Sequence, residues 1–264
     1  MSAKTAVVAL ATCLAAAAMP ASATSITNAG GTFTFSGVDW AQGGTAFATG
    51  FAPVATTNFT LTYFASAVTL MDGITPFIPT GMDISANGVA NGLYEYTIVA
   101  TLNETVNSCT GTLCSFAVNS GTWNMYYDTA QNANASSGAL GVGFADGISI
   151  MSGTVNPLAS SQFDISSGAN STTLTGQVTA TNATYIAPPF SNTTATTTLQ
   201  LGDAITSWVN PGGFNGVAFT LADSPIFQAD GNQSFTTVPE PGSLALLGLG
   251  LGALGWGVRR RQQA

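Results

Sequence analysis

Few side chains in this sequence can do chemistry, and most of those are carboxylates. Of its 12 acidic residues, all but Glu240 lie between positions 24 and 238. They are Asp39, Asp72, Asp83, Glu95, Glu104, Asp128, Asp146, Asp164, Asp203, Asp223 and Asp230. There is no histidine, and the four basic residues are Lys4, Arg259, Arg260 and Arg261. A body without His, Lys or Arg can build no His-dependent triad and no phosphate clamp. It also cannot neutralise a nucleic-acid backbone, so no nucleic-acid partner is expected.

Two chemistries remain open to carboxylates alone. A two-carboxylate polysaccharide hydrolase needs its acid and base about 5–10 Å apart. The one Glu pair of the body, Glu95 and Glu104, falls on a single expected strand, about 30 Å apart at ~3.3 Å per residue. Only Asp–Asp pairs are left for hydrolysis, and the chain reads as a non-enzyme. Calcium takes oxygen ligands without His or Cys, and Asp128, Asn132 and Asn134 are the candidate ligands, with Asp230 and Asn232 as a second cluster. Neither has the Asp-x-Asp-x-Asp-Gly form, and Asp and Asn also serve as turn formers. No other cofactor is called for.

Cys109 and Cys114 are the two cysteines outside the first 23 residues. They flank Thr110, Gly111, Thr112 and Leu113 between two strand candidates. No further Cys or His is available for a zinc site, so an exported chain would close them as a disulfide that staples a hairpin.

The elements that would position these groups are strands. Apolar and polar residues alternate at Phe33 and Phe35, at Phe59, Leu61 and Tyr63, and at Tyr94, Tyr96, Ile98, Ala100 and Leu102. The pattern recurs at Trp123, Met125 and Tyr127, at Ile148 and Ile150, and over 174–180, 196–201, 216–221 and 234–238. Asp72–Gly73, Asn87–Gly88, Asn91–Gly92, Asp146–Gly147, Pro211–Gly213 and Asp230–Gly231 read as turns between them. Residues 183–198, with Pro188, Pro189 and a Thr run from Thr193 to Thr198, read as a long exposed connection. No helical period appears in the body. The expected fold is all-β: a single antiparallel, β-sandwich-like domain over residues 24–238.

The two ends read as addresses. Lys4, the apolar stretch Val7–Ala18 and the small residues Ala21 and Ala23 have the form of a signal helix, cleaved after residue 23. At the other end, Pro239, Glu240 and Pro241 lead into an apolar Leu/Gly-rich span over 243–258, followed by Arg259, Arg260 and Arg261. The span suits a short transmembrane helix whose arginines stay cytoplasmic. The expected domains are thus 1–23, 24–238 and 239–264.

In motif, span and arginine cluster, taken in that order, the tail resembles the PEP-CTERM sorting signal of Gram-negative bacteria. The resemblance implies recognition at Pro239, Glu240 and Pro241 by an exosortase, a sorting protease of the inner membrane. It also implies export, transient anchoring through the C-terminal helix, and release to the cell surface or extracellular matrix. Residues Val38–Trp40, Trp123–Asp128, Gly143–Gly153 and Gln233–Val238 are similar to the flocculation-associated PEP-CTERM proteins. That likeness implies a non-catalytic structural or adhesive role, with extracellular polysaccharide or other cells as partners. The alternatives are an ice- or carbohydrate-binding surface module, from Thr-rich strands presenting hydroxyls, and the carboxylate-based hydrolase.

Overall fold

A computed structural model describes residues 24–166, 169–190, 193–202, 208–223 and 225–237. The signal segment with Ala21 and Ala23 lies outside the described residues, as do Pro239, Glu240, Pro241, the span 243–258 and Arg259–Arg261. Among the described residues no helix is long and apolar enough to cross a membrane. Thr24–Thr236 form one compact unit.

That unit is built almost wholly of strands. The first seven are β1 (Ser25–Asn28), β2 (Gly31–Thr34), β3 (Gly37–Trp40), β4 (Gln42–Thr49), β5 (Asn58–Ser66), β6 (Thr69–Asp72) and β7 (Thr75–Phe77). Two long strands follow, β8 (Glu95–Thr110) and β9 (Leu113–Asp128). Then come β10 (Ile148–Val155), β11 (Leu158–Asp164), β12 (Asn170–Thr181), β13 (Ile186–Ala187) and β14 (Thr193–Leu201). The chain ends with β15 (Gly213–Phe214), β16 (Val217–Ala218), a 3-10 turn at Leu221–Asp223, and β17 (Ile226–Thr237).

The sandwich-like body is one continuous 12-stranded sheet in the order β14-β12-β10-β9-β8-β5-β4-β17-β3-β6-β7, with β11 on β9. Every strand pairing with a described register is antiparallel. β14 also pairs with β17, so the sheet closes on itself through the strands from β14 to β17. A small three-stranded sheet, β13-β1-β2, stands apart from it.

Two-residue alternation decides which side chains fill the enclosed core. On β8, Tyr96, Ile98 and Leu102 face inward and are buried, and on β9 Trp123, Met125 and Tyr127 do the same. These belong to the main core, with Phe59, Leu61, Tyr63, Phe116, Phe163 and Phe235. A second, smaller core lies around Phe47, Phe64, Ala86, Ala133, Ala135 and Phe144, with Phe214 and Phe219 packed on it. Phe47 and Phe64 occupy the opposite alternation phase of β4 and β5, so here the outer side of the sheet is covered by the loops.

Three local expectations change. Thr193–Thr198 is no exposed connection: it lies in β14, paired with β12 from Gln177↔Thr194 to Thr173↔Thr198. Thr193 and Ala195 are buried, because the run alternates as a strand does and its inward positions face the core. Asp230–Gly231 is no turn, since β17 runs straight through it. β17 leaves β4 after Gln228 and takes up β3 from Gly231. A Cβ at Gly231 would sit 2.9 Å from the Tyr63 hydroxyl, so glycine here makes room for a side chain. Finally, residues 216–221 form only the short β16 and the approach to the 3-10 turn.

Candidate functional site

The β8–β9 hairpin places Cys109 directly opposite Cys114, and the two are joined as a disulfide. The connecting Gly111 has φ +62, which glycine adopts without steric cost. β11 lines the same end of the hairpin through Phe163↔Cys114 and Asp164↔Leu113.

Asp128, Asn132 and Asn134 fall in one loop, and their side chains are largely committed to shaping it. Asp128 Oδ1 accepts from the Ala130 N–H at 2.8 Å, and Asn134 Oδ1 from the Ser136 N–H at 2.9 Å. Both are Asx turns. Asn132 Nδ2 donates to Asp146 Oδ2 at 3.0 Å. Among the described residues no group of three or more acidic or cysteine side chains is placed to hold a metal ion.

The loop is organised from below by Glu95. Its buried carboxylate accepts the Ala133 N–H at 2.9 Å. Burial pushes its pKa up to about 7; Asp128 and Asp83 add to the rise, against the N–H groups of Ala133 and Asn132. Asp83 plays the same part in the loop before β8. It takes the N–H groups of Ser85 at 2.8 Å and Asn91 at 2.9 Å, and the Ser85 hydroxyl at 2.7 Å. Neither role has a motif in the sequence: Glu95 holds a loop far along the chain, and Asp83 closes its own loop onto Asn91.

Glu95 and Glu104 stand on the same strand, β8, nine residues apart. Glu104 occupies an inward position between Leu102 and Val106. It is 2% exposed, and burial alone pushes its carboxyl up to about 8. Its surroundings include Leu61, Phe116, Leu174 and Leu199.

The fold also assembles a carboxyl pair that spacing could not reveal. Asp39 on β3 lies across from Asn232, beside Asp230 on β17. Burial, then the neighbouring Asp230, pushes Asp39 up to about 6, and burial raises Asp230 despite the Gly231 N–H. Each keeps one buried oxygen, Oδ1, without a hydrogen-bond partner. No basic side chain lies between residues 5 and 258 to offset them, so burial and mutual repulsion favour the protonated form of the pair. The Tyr63 hydroxyl is pushed up by burial and by both aspartates, and it donates to the Trp40 carbonyl at 2.5 Å.

The outer face of the sheet carries polar residues in transverse rows. One runs Thr62, Thr101, Thr122, Thr154, Gln177, Thr194 across six neighbouring strands. A second runs Thr49, Thr60, Asn103, Ser120. Rows repeat at about 6.6 Å along the strands and residues within a row at about 4.8 Å. The Thr-rich composition is therefore the outer phase of strands whose inner phase is apolar.

No curated protein and no solved structure matches the chain. Residues 237–261 match the PEP-CTERM protein-sorting motif, which marks the chain as an exported protein whose C-terminal signal directs it to exosortase processing.

Proposed function

We propose that the body between the two addresses is a non-catalytic structural or adhesive component of an extracellular polysaccharide matrix, acting in cell aggregation or flocculation. The observation that carries this reading is the outer face of the sheet. Its rows of Thr, Asn, Ser and Gln offer hydroxyl and amide groups over several strands with no positive side chain among them. Such a surface exchanges hydrogen bonds with neutral sugars and repels polyanions. The sorting motif supports the placement, since an exported and processed chain meets the matrix.

Deleting the gene, or only the tail from Pro239 on, tests the reading. Both deletions are expected to reduce cell aggregation, measured as settling rate, and full-length expression to restore it. Aggregation unchanged in both strains overturns the proposal. The mature C-terminus of the native protein, read by mass spectrometry, is expected near Pro239–Pro241.

A further inference from the structure

Above the second core, β4, the loops before and after the β8–β9 pair and the segment preceding β15 line a half-open cavity of about 170 Å³. That is room for several water molecules, enough for a single sugar ring. Its walls include Trp208, Gln42, Asn87 and Ser136, with Ala86 and Ala135 of the second core beneath. It is mixed in character, and none of the described residues that line it carries a charge.

The walls are fixed before any ligand arrives. Trp208 Nε1 donates to the hydroxyl of buried Thr45 at 3.0 Å, which pins the indole against β4. Gln42 Nε2 donates to the Ser85 carbonyl at 3.0 Å, tying the loop to the sheet. The Ala135 N–H donates to the Ala86 carbonyl at 2.9 Å and joins the two loops. Ala86 itself sits at φ +44, a strained conformation for a residue with a Cβ. After these bonds, Gln42 Oε1, Asn87 Nδ2 and Ser136 Oγ have no partner among the described residues. The residues that line the cavity thus carry an uncommitted acceptor, donor and hydroxyl alongside an indole. An aromatic wall suits the C–H faces of a pyranose, and the polar atoms suit its hydroxyls.

We propose that this pocket binds one neutral sugar unit of an extracellular polysaccharide. The inference rests on the matrix role proposed above and places a point of sugar contact within it. The absence of any positive side chain from residues 5–258 selects a neutral ring over a uronic acid or a sulfated sugar. A single ring has few atoms to bind with, so its Kd is expected at about 1 mM. Tight attachment to a polymer would come from many such contacts.

The test titrates the purified full-length chain with glucose, galactose, mannose, N-acetylglucosamine and glucuronic acid. Calorimetry and tryptophan emission are the readouts. Of the four tryptophans, Trp40 and Trp123 are 0% and 3% exposed and Trp256 belongs to the C-terminal span, while Trp208 is half-buried and lines the pocket, so an emission change on binding is expected to be lost with Trp208. One neutral sugar is expected to bind at about 1 mM, and Trp208→Ala to weaken it at least tenfold. Ser136→Phe, at an exposed position, is expected to block the pocket with the melting temperature unchanged. It decides the case if Trp208→Ala fails to fold. Binding that survives Ser136→Phe, or glucuronic acid binding tighter than every neutral sugar, overturns the proposal. So does the absence of binding by any of the neutral sugars. If aggregation still depends on the protein in that case, the matrix role stands and only the pocket assignment falls.

Discussion

Glu104 is a carboxyl in an apolar core, and its cost depends on pH. Below about pH 4.5, the ordinary glutamate value, it is protonated whether the chain is folded or not. As pH rises the unfolded chain ionises first, while the folded chain keeps its proton up to about 8. The folded state is the one that binds the extra proton, so stability falls between those values and levels off above them. Glu104→Gln removes this dependence. The variant's advantage in melting temperature over the native chain is expected to be larger at pH 8 than at pH 5. An equal effect at both pH values would show that Glu104 ionises freely in the folded protein. Glu95, pushed up to about 7, contributes with the same sign, but its carboxylate also holds the Ala133 N–H. Replacing it removes an anchor as well as a charge and gives no clean pH test.

Among the elements, the β8–β9 hairpin dominates, with two 16-residue strands forming the centre of the sheet. Its disulfide closes a short loop between paired positions. By loop-closure entropy it is expected to contribute about 2 kcal/mol. The double substitution Cys109→Ser, Cys114→Ser should lower the melting temperature by about 4–8 °C in a body of this size. Amide exchange should accelerate at the hairpin tip before it does at Tyr96 or Trp123. Loss of protection throughout the sheet instead would mean that the staple is needed for the fold itself.

The hairpin was legible in the sequence because its signals are local: alternation on both strands, a glycine at the turn, and cysteines at matching positions. The same holds for Phe59–Tyr63 and Trp123–Tyr127, whose neighbours in sequence share a face. What was not legible depends on partners distant along the chain. Asp230–Gly231 carries a turn signature, yet its glycine serves Tyr63 on β5. Thr193–Thr198 has the composition of a linker, yet half its positions face the core once β12 pairs with it. The Trp208 pocket draws on β4, two loops and the segment before β15, which no spacing rule connects. The tail is legible because its signal is contiguous: motif, apolar span and arginines follow one another in sequence.

Taken together, residues 24–238 hold eleven carboxylates and no basic side chain, so the body has no side-chain ion pairs to lose. Most folded proteins set repulsions among like charges against nearby attractions, and added salt screens both. Here only the repulsive part exists. At low ionic strength it acts over long distances, whereas the screening length is about 10 Å at 0.1 M and about 3 Å at 1 M. Sodium chloride should therefore raise the melting temperature steeply from very low salt, with most of the gain reached once neighbouring carboxylates are screened. Salt can also strengthen apolar burial, and pH separates the two causes. At pH 5, Glu104, Glu95 and Asp39 keep their protons, so less repulsion remains to be screened. The salt-induced rise should be clearly smaller at pH 5 than at pH 8, since the apolar contribution is common to both. A rise of equal size at the two pH values would assign it to burial, and a fall with salt would show that carboxylate repulsion does not limit the stability of the body.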